Sequence, residues 1–463
     1  MAGATGAVRA QREDRVESLD QEGRGIVRAD GKTAFVEGAL PGERVLWETI
    51  RAGSRFDVGR LVRVLRSSSQ RVEPRCPHFG LHKGACGGCS MQHLDARAQV
   101  AIKQRVLEDA LWHLGRLKPA QILRPIAGPA WSYRHRARLS VRYIARRGEA
   151  LVGFHERASS FVADIRHCHV LAEPVGSLLM PLRSLVGSMQ VRARLPQIEV
   201  AVTADGARAQ AVLVLRVLDA LSESDRLLLQ RFAAEHHVKI WVQPGAPATA
   251  APLTSADRFE PALQLSEFGL EVPFAPTDFT QVNHAVNEVL VRRAFALLQP
   301  QPHERALDLF CGLGNFTLPL GTRVARVLGI DGSPALVDRA ERAARAADLR
   351  SSVDFISQDL ARWTGEEWEG LNRRQGADSA FSLVLIDPPR EGALAVARAL
   401  AASAVRPRRL LYVSCNPATL ARDCAVLVHE GGWGLAAAGV VNMFPHTSHV
   451  ESMALLEPGA PPS

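Results

Sequence analysis

Between Val16 and about Arg66, short apolar runs alternate with turn pairs. Gly25-Ile26-Val27, Thr33-Ala34-Phe35-Val36 and Arg44-Val45-Leu46-Trp47 are separated by Asp30-Gly31 and Pro41-Gly42. Short strands closed by such turns predict a small β-barrel, and barrels of this size often bind nucleic acid on a strand face and its loops. From Leu94 to Leu117 the period changes. Val100, Val106, Leu107, Leu111 and Leu114 recur at threes and fours, which predicts a helix ended by Pro119. Residues 131–260 read as mixed α/β, and 240–262, rich in Pro, Ala and Thr, as a linker or long loop. From about 277, helices and short apolar strands alternate: helix 281–298, strand Arg305–Phe310, a helix, strand Val327–Ile330, helix 334–347, strands Val353–Ile356 and Phe381–Ile386, helix 393–402, strand Leu410–Val413 and helix 417–430. This alternation predicts a parallel, doubly wound sheet. Residues 1–14 and the tail EPGAPPS read as loose ends, and there is no internal repeat.

One strand has an unusual polar face. In Tyr133–Tyr143, Arg134, Arg136, Arg138 and Arg142 share one side, while Ala137, Leu139, Val141 and Tyr143 share the other. Like charges in a row repel unless an anion sits among them, which predicts an RNA phosphate surface against the plainer reading of a solvated sheet face.

A length of 463 residues implies two or three domains. The 47% hydrophobic and 22% charged content fits a soluble globular chain, and no stretch approaches the roughly 20 apolar residues of a membrane helix. The first residues hold no apolar run, which argues against a secretory signal and for a cytoplasmic, reducing compartment. Seven cysteines there read as metal, cluster or catalytic thiols before disulfides. Charge is uneven: residues 1–150 carry a net +12 and the remainder −4, out of +8 overall. A basic front third suits an anionic polymer, although solubility charge explains it equally well.

The candidate chemistry gathers at strand ends. Strand ALDLF runs into Cys311-Gly-Leu-Gly-Asn-Phe-Thr, a D-x-x-x-G-x-G turn that brings backbone close to a ligand. Asp331 ends the next strand and suits ribose hydroxyls. Thr317 replaces the third glycine of a dinucleotide fingerprint, and Asp308 is expected near the positive charges of S-adenosylmethionine, so that cofactor is favoured over NAD. Two further strands end in Asp387-Pro-Pro-Arg390 and Ser414-Cys415-Asn-Pro417, on the same rim. Cys415, at a strand end before a helix and near an arginine, is expected to have a lowered pKa. Cys311 and Cys424 read as packing residues. A thiolate added to C6 of a uracil makes C5 nucleophilic, and a base must later remove the C5 proton. Glu451 in His446-Thr-Ser-His-Val-Glu451-Ser-Met is the candidate base; taken singly it reads as a surface carboxylate.

Together these motifs resemble the RNA 5-methyluridine methyltransferases: FTQVN (279–283), DLFCGLGNFTLPL (308–320), IDPPR (386–390), SCNPATLARD (414–423) and TSHVES (447–452). The resemblance implies a Rossmann-like class I methyltransferase domain with Cys415 as nucleophile and Glu451 as base. It also implies S-adenosylmethionine contacts from Gln281, Phe310, Asn315, Asp331, Asp359 and Asp387, with Asp331 standing where the family more often has Glu. GRGIVRADGKTAFVEGALPGE (23–43) is similar to a TRAM domain, an RNA-binding barrel. Of the family's branches, the one acting on 23S ribosomal RNA has this barrel and an iron–sulfur cluster; the transfer-RNA branch lacks both. The expected layout is therefore a barrel at 1–70, a central RNA-recognition domain at 71–275 and the catalytic domain at 276–463, with helix 94–118 a candidate to pack on the last. A monomer acting on 23S ribosomal RNA, with no membrane association, is expected.

Cys76, Cys86 and Cys89 precede a distant Cys168 flanked by His167 and His169. Spacing alone leaves zinc and [4Fe–4S] open; the resemblance implies [4Fe–4S], in a structural role. The family spacing C-x5-C-x2-C is here C-x9-C-x2-C, which lengthens one loop. Two other readings are a cytosine-5 RNA methyltransferase, which usually carries a Cys in the Asp-Pro segment, and a non-catalytic RNA-binding iron–sulfur protein. An adenine N6-methyltransferase would place an aromatic where Arg390 stands. The target base must leave its stack to be methylated, and RNA binding should weaken with salt.

Overall fold

The computed structural model describes residues 11–203, 209–375 and 380–459. Residues 1–10 and 460–463, within the ends expected to be loose, lie outside that range, whereas Gln11–Arg15 is a strand. Among the described residues, no helix is long and apolar enough to cross a membrane.

The first six strands are β1 (Gln11–Arg15), β2 (Ser18–Leu19), β3 (Gly25–Ala29), β4 (Lys32–Glu37), β5 (Arg44–Arg51) and β6 (Phe56–Arg66). They form one sheet in the order β1-β5-β6-β4-β3-β2. It curls round Val27, Val36, Val45 and Trp47, with β1 returning against β3. Gly59 makes room for the Trp47 ring inside this curl: a Cβ there would lie 2.3 Å from it.

Next come α1 (Ala96–His113), β7 (Gln121–Ile122), β8 (Arg136–Ile144), β9 (Glu149–Gly153), α2 (Leu179–Ser188), β10 (Gln197–Val202), β11 (Ala211–Arg216), α3 (Glu223–His236), β12 (Lys239–Gln243) and β13 (Ala251–Pro252). A second sheet runs β13-β12-β11-β10-β8-β9. The stretch expected as a linker thus contributes two strands. Asp257, buried, accepts from Ile240 N–H at 3.0 Å and from the Thr254 N–H and hydroxyl at 3.1 and 2.6 Å. Pairing of β12 with β11 and this one carboxylate together order a segment whose composition signals only turns. The hairpin β14 (Ala262–Leu265) and β15 (Leu270–Pro273) buries Leu263, Leu265 and Val272 in the catalytic core, so a boundary at 275 cuts through packed structure.

The last elements are α4 (His284–Leu298), β16 (Arg305–Leu309), α5 (Thr317–Gly321), β17 (Arg326–Asp331), α6 (Pro334–Ala346), β18 (Val353–Ser357), α7 (Gly365–Gln375), β19 (Leu383–Ile386), α8 (Leu394–Ala402), β20 (Arg409–Ser414), α9 (Pro417–Ala425), β21 (Trp433–Val441) and β22 (Glu451–Pro458). The sheet order is β18-β17-β16-β19-β20-β22-β21-β7. β16 to β20 are parallel, and β22 enters antiparallel between β20 and β21. The strands are apolar on both sides because each face carries a core, with α1 joining the face that holds α8 and α9.

Candidate active site

The carboxyl ends of β16, β17, β19 and β20 open into one cavity of about 610 Å³. At its floor the chain leaves β16 through Phe310 and Gly312, whose φ values are +63° and +55°. A side chain on Gly312 would meet no protein atom within 4 Å, so this backbone faces open space where a ligand can approach. Gly312 N–H donates to Asp331 Oδ2 at 3.0 Å, and Ser333 N–H to Oδ1 at 2.8 Å, which fixes the acid beside the turn. Asn315 exchanges two hydrogen bonds with Asn287 of α4, at 2.8 and 3.0 Å. Asp359 accepts from Ala361 N–H at 2.9 Å. Gln281, Phe310, Asn315, Asp331, Asp359 and Asp387 all line the cavity.

Asp308 does not. It is fully buried beneath the turn, accepts the Thr317 hydroxyl at 2.5 Å, and burial pushes its carboxyl up to about 8. The expectation that it meets the charges of S-adenosylmethionine is therefore corrected. The threonine that displaced a glycine is its partner, so the two residues form one internal brace under the turn.

Cys415 and Glu451 also line the cavity. β20 pairs with β22 so that Ser414 faces Ser452. The next step in this antiparallel register brings Cys415 level with Glu451. Asn416 caps α9, accepting from Ala418 N–H at 3.1 Å, and ties it to the Asp387–Arg390 loop by donating to Arg390 O at 3.1 Å. Behind this loop, Ala393 N–H and the Tyr412 hydroxyl both donate to buried Asp423, each at 2.7 Å.

The expected lowering of the Cys415 pKa is overturned. Burial, then the carboxyls of Glu451 and Asp387, push the thiol up to about 11, against the pull of Arg390. Burial and then Asp387 raise Glu451 well above the ordinary carboxylate range, while Arg390 opposes them. Burial raises Asp387 to about 7. Sequence proximity to a helix start and an arginine misjudged the thiol because the fold buries it and, secondarily, brings two acids to it from other strands. Arg390 is steadied by His449, with Nη2 3.3 Å from Nδ1.

The family model described as tRNA (Uracil-5-)-methyltransferase matches residues 97–458. The chain belongs to this uracil-5-methyltransferase family. The chain is 54% identical to the 23S rRNA (uracil(1939)-C(5))-methyltransferase RlmD of Bordetella bronchiseptica, over 96% of this chain and 92% of that one. Against the enzyme of the same name in Cupriavidus metallidurans the identity is 53%, over 96% and 94%. Among solved structures, the Pyrococcus abyssi tRNA (uracil-54, C5)-methyltransferase in complex with S-adenosyl-L-homocysteine superposes with a TM-score of 0.69. It covers 96% of this chain and 100% of that one at 20% identity, a likeness of fold. Of the supports that hold this uracil-5-methyltransferase site together, Asn287 escaped the sequence reading. A signal existed: a polar residue on the apolar stripe of α4, between Asn283 and Val291.

Outside the cavity, Cys76, Cys86, Cys89 and Cys168 line one small pocket with His167 and His169. All four thiols are free. The lengthened loop folds back, with Cys86 N–H donating to His78 O at 2.8 Å. Burial pushes Cys86 up to about 11 and Cys89 to about 12, and the neighbouring cysteines add to both. Among the described residues, no group of three or more His, Cys, Asp or Glu side chains is set to hold a metal ion. The arginine row is partly answered within the protein. Glu199 of β10 lies 3.0 Å from Arg138 and 3.7 Å from Arg136, and Arg136 also donates to Pro276 O at 2.6 Å. Arg138 and Arg142 are exposed, while Arg134 lies over Phe154.

Proposed function

We propose that this chain methylates C5 of a uracil in 23S ribosomal RNA, taking the methyl group from S-adenosylmethionine. The reading rests on family membership and near-full-length relatives of that activity. The observation that carries the chemistry is the shared cavity, where the Cys415 thiol and Glu451 carboxyl stand side by side next to the glycine-rich turn.

S-adenosylmethionine, when bound, supplies an electrophilic methyl group on a positive sulfur. Gln281, Phe310, Asn315, Asp331, Asp359 and Asp387 are the residues we assign to holding it. Cys415 adds through sulfur to uracil C6, and the C5=C6 electrons move toward C5, which takes the methyl group. Glu451 then removes the C5 proton; the C5=C6 bond reforms and the C6–S bond breaks, returning the thiolate. A carboxyl raised by burial is a stronger base once ionised than an ordinary one, which suits an unactivated C–H. Arg390, whose charge pulls down both the Cys415 thiol and the Glu451 carboxyl, steadies whichever of them is ionised.

The exposed Arg138 and Arg142, with the barrel at residues 11–66, form the surface we assign to flanking RNA phosphates. The four cysteines are an all-sulfur donor set lining one pocket, and burial, with a smaller push from neighbouring thiols, raises Cys86, Cys89 and Cys168, a cost that a bound cation would relieve. This supports a [4Fe–4S] cluster held by Cys76, Cys86, Cys89 and Cys168, pinning the 76–89 loop to the central sheet. Nothing in uracil methylation requires an electron, so a structural role suffices.

Mapping 5-methyluridine in 23S ribosomal RNA from cells with and without this protein tests the activity. Full methylation by Cys415→Ala would overturn the mechanism. Iron and sulfide analysis of the protein and of Cys89→Ser tests the cluster; zinc without sulfide would replace it with a mononuclear site.

A further inference from the structure

Glu451 is the first residue of β22, and its backbone pairs with Val441 at the end of β21. The intervening loop, Asn442–Val450, therefore sets where the Glu451 side chain enters the cavity. Loops of this kind usually run over the surface. Here Asn442, His446 and Thr447 are buried, and the loop is held by groups distant in sequence.

Two of these groups lie one turn apart on α1. Lys103, 1% exposed, donates from Nζ to Asn442 Oδ1 and to Phe444 O, each at 2.8 Å. Gln99, also 1% exposed, accepts from His446 N–H at 2.8 Å through Oε1. Its Nε2 lies 3.2 Å from His446 Nδ1 and donates to Met91 O and Leu94 O. The segment that follows Cys89 holds the loop from the other side. Ser90 N–H and Met91 N–H both donate to His446 O at 2.9 Å, and Ser448 N–H donates to Ser90 Oγ at 3.0 Å. His446 itself has φ +64°, a left-handed conformation that a non-glycine residue keeps only when its surroundings fix it. A buried loop needs partners for its polar groups, and here they come from a buried lysine and a buried glutamine one helical turn apart. Both are directed at a single loop whose far end carries a reacting group.

We infer that Gln99, Lys103 and Ser90 are positioning residues for proton abstraction: they hold the Asn442–Val450 loop so that Glu451 reaches the C5 proton of the methylated intermediate. The inference rests on Glu451 being the base. It separates the two halves of the reaction. Formation of the S–C6 bond and methyl transfer depend on Cys415 and the cavity floor, which the loop reaches only through Phe444 and His449 at the cavity wall and not through Asn442, His446 or Ser448, where it is anchored. Removal of the C5 proton and cleavage of the C6–S bond depend on Glu451. Loosening the loop should therefore stall the enzyme after methyl transfer, with RNA still attached through Cys415.

The test uses the full chain with an unmodified ribosomal RNA fragment and S-adenosylmethionine. Glu451→Gln, Gln99→Met, Lys103→Met and Ser90→Ala are compared with wild type for turnover and for RNA–protein adduct surviving denaturing gels. Amide exchange at His446 is measured in parallel. The expected result is adduct on a trace of wild-type enzyme but on more than half of Glu451→Gln. The three loop variants should give intermediate amounts, with turnover at least fivefold lower and His446 exchange faster. Ser90→Ala removes one acceptor at the loop's edge and remains informative should a buried variant fold poorly. If Glu451→Gln accumulates adduct while folded loop variants do not, the positioning role is overturned and the base stands. If Glu451→Gln itself releases product normally, the base assignment fails and the inference falls with it.

Discussion

The thiol of Cys415 offers a direct quantitative check on the site. Burial and the Glu451 and Asp387 carboxyls raise it to about 11, with Arg390 the nearby charge that pulls it down. At pH 8 the resting enzyme then holds roughly one thiolate per thousand molecules. Alkylation by iodoacetamide, followed at the Cys415 peptide by mass spectrometry, should rise about tenfold per pH unit from pH 7 to pH 10. Removing the opposing cation with Arg390→Met should move this curve to higher pH, and Glu451→Gln should move it to lower pH. The two shifts have opposite signs because the two charges act on the same sulfur. At an effective dielectric near 20, a unit charge a few ångströms away is worth up to about 4 kcal/mol, so shifts of one to two pH units are the expected scale after partial screening. An alkylation rate that levels off below pH 8 in the resting enzyme would refute the reasoning. It would restore the lowered thiol that strand-end position alone suggests.

Asn287→Ala removes both bonds that orient Asn315, at about 1 kcal/mol net each, and should weaken S-adenosylmethionine binding roughly tenfold by calorimetry while leaving RNA affinity unchanged. Asp308 is raised on folding from 3.8 to about 8, so the stability tied to its protonated form is complete below pH 4 and drains away as pH rises to 8. Asp308→Asn should be spared that loss: its melting-temperature advantage over wild type should grow between pH 4 and pH 8, by on the order of 1 kcal/mol per pH unit, and then level off. The arginine row should split. Arg142→Ala should lower RNA affinity and flatten the salt dependence by about one unit of slope, whereas Arg136→Ala should lower the melting temperature because it ties Glu199 to Pro276 O.

How far each feature could be read beforehand follows from the range of the interaction behind it. The parallel sheet and its rim were legible because β16, β17, β19 and β20 are apolar runs ending in Gly, Asp or Cys, and strand ends share an edge by topology alone. The pairing of Cys415 with Glu451 needed a register that no local pattern encodes, and so did the burial and the two acids that raise the thiol's pKa. Glu199 neutralises part of the arginine row from a strand about sixty residues away, which period-two reasoning within β8 cannot anticipate. The strands within 240–262 were missed for a related reason. β12 is held by a parallel ladder to β11, and the segment after it is tied back by the buried carboxylate of Asp257; composition averages over both.

Placing β22 between β20 and β21 also governs how the molecule assembles. Chain synthesised earlier, namely β21 and the β7 edge outside it, has no hydrogen-bonded neighbour on the catalytic side until the final strand threads into the gap. The strands beneath the cavity floor, β16 to β19, all precede β22 in the chain, whereas Cys415 has Glu451 beside it only once β22 is in place. On the roles proposed for Cys415 and Glu451, a molecule without β22 in place holds the nucleophile without the base that frees it, and the insertion of one strand converts a trap into a catalyst.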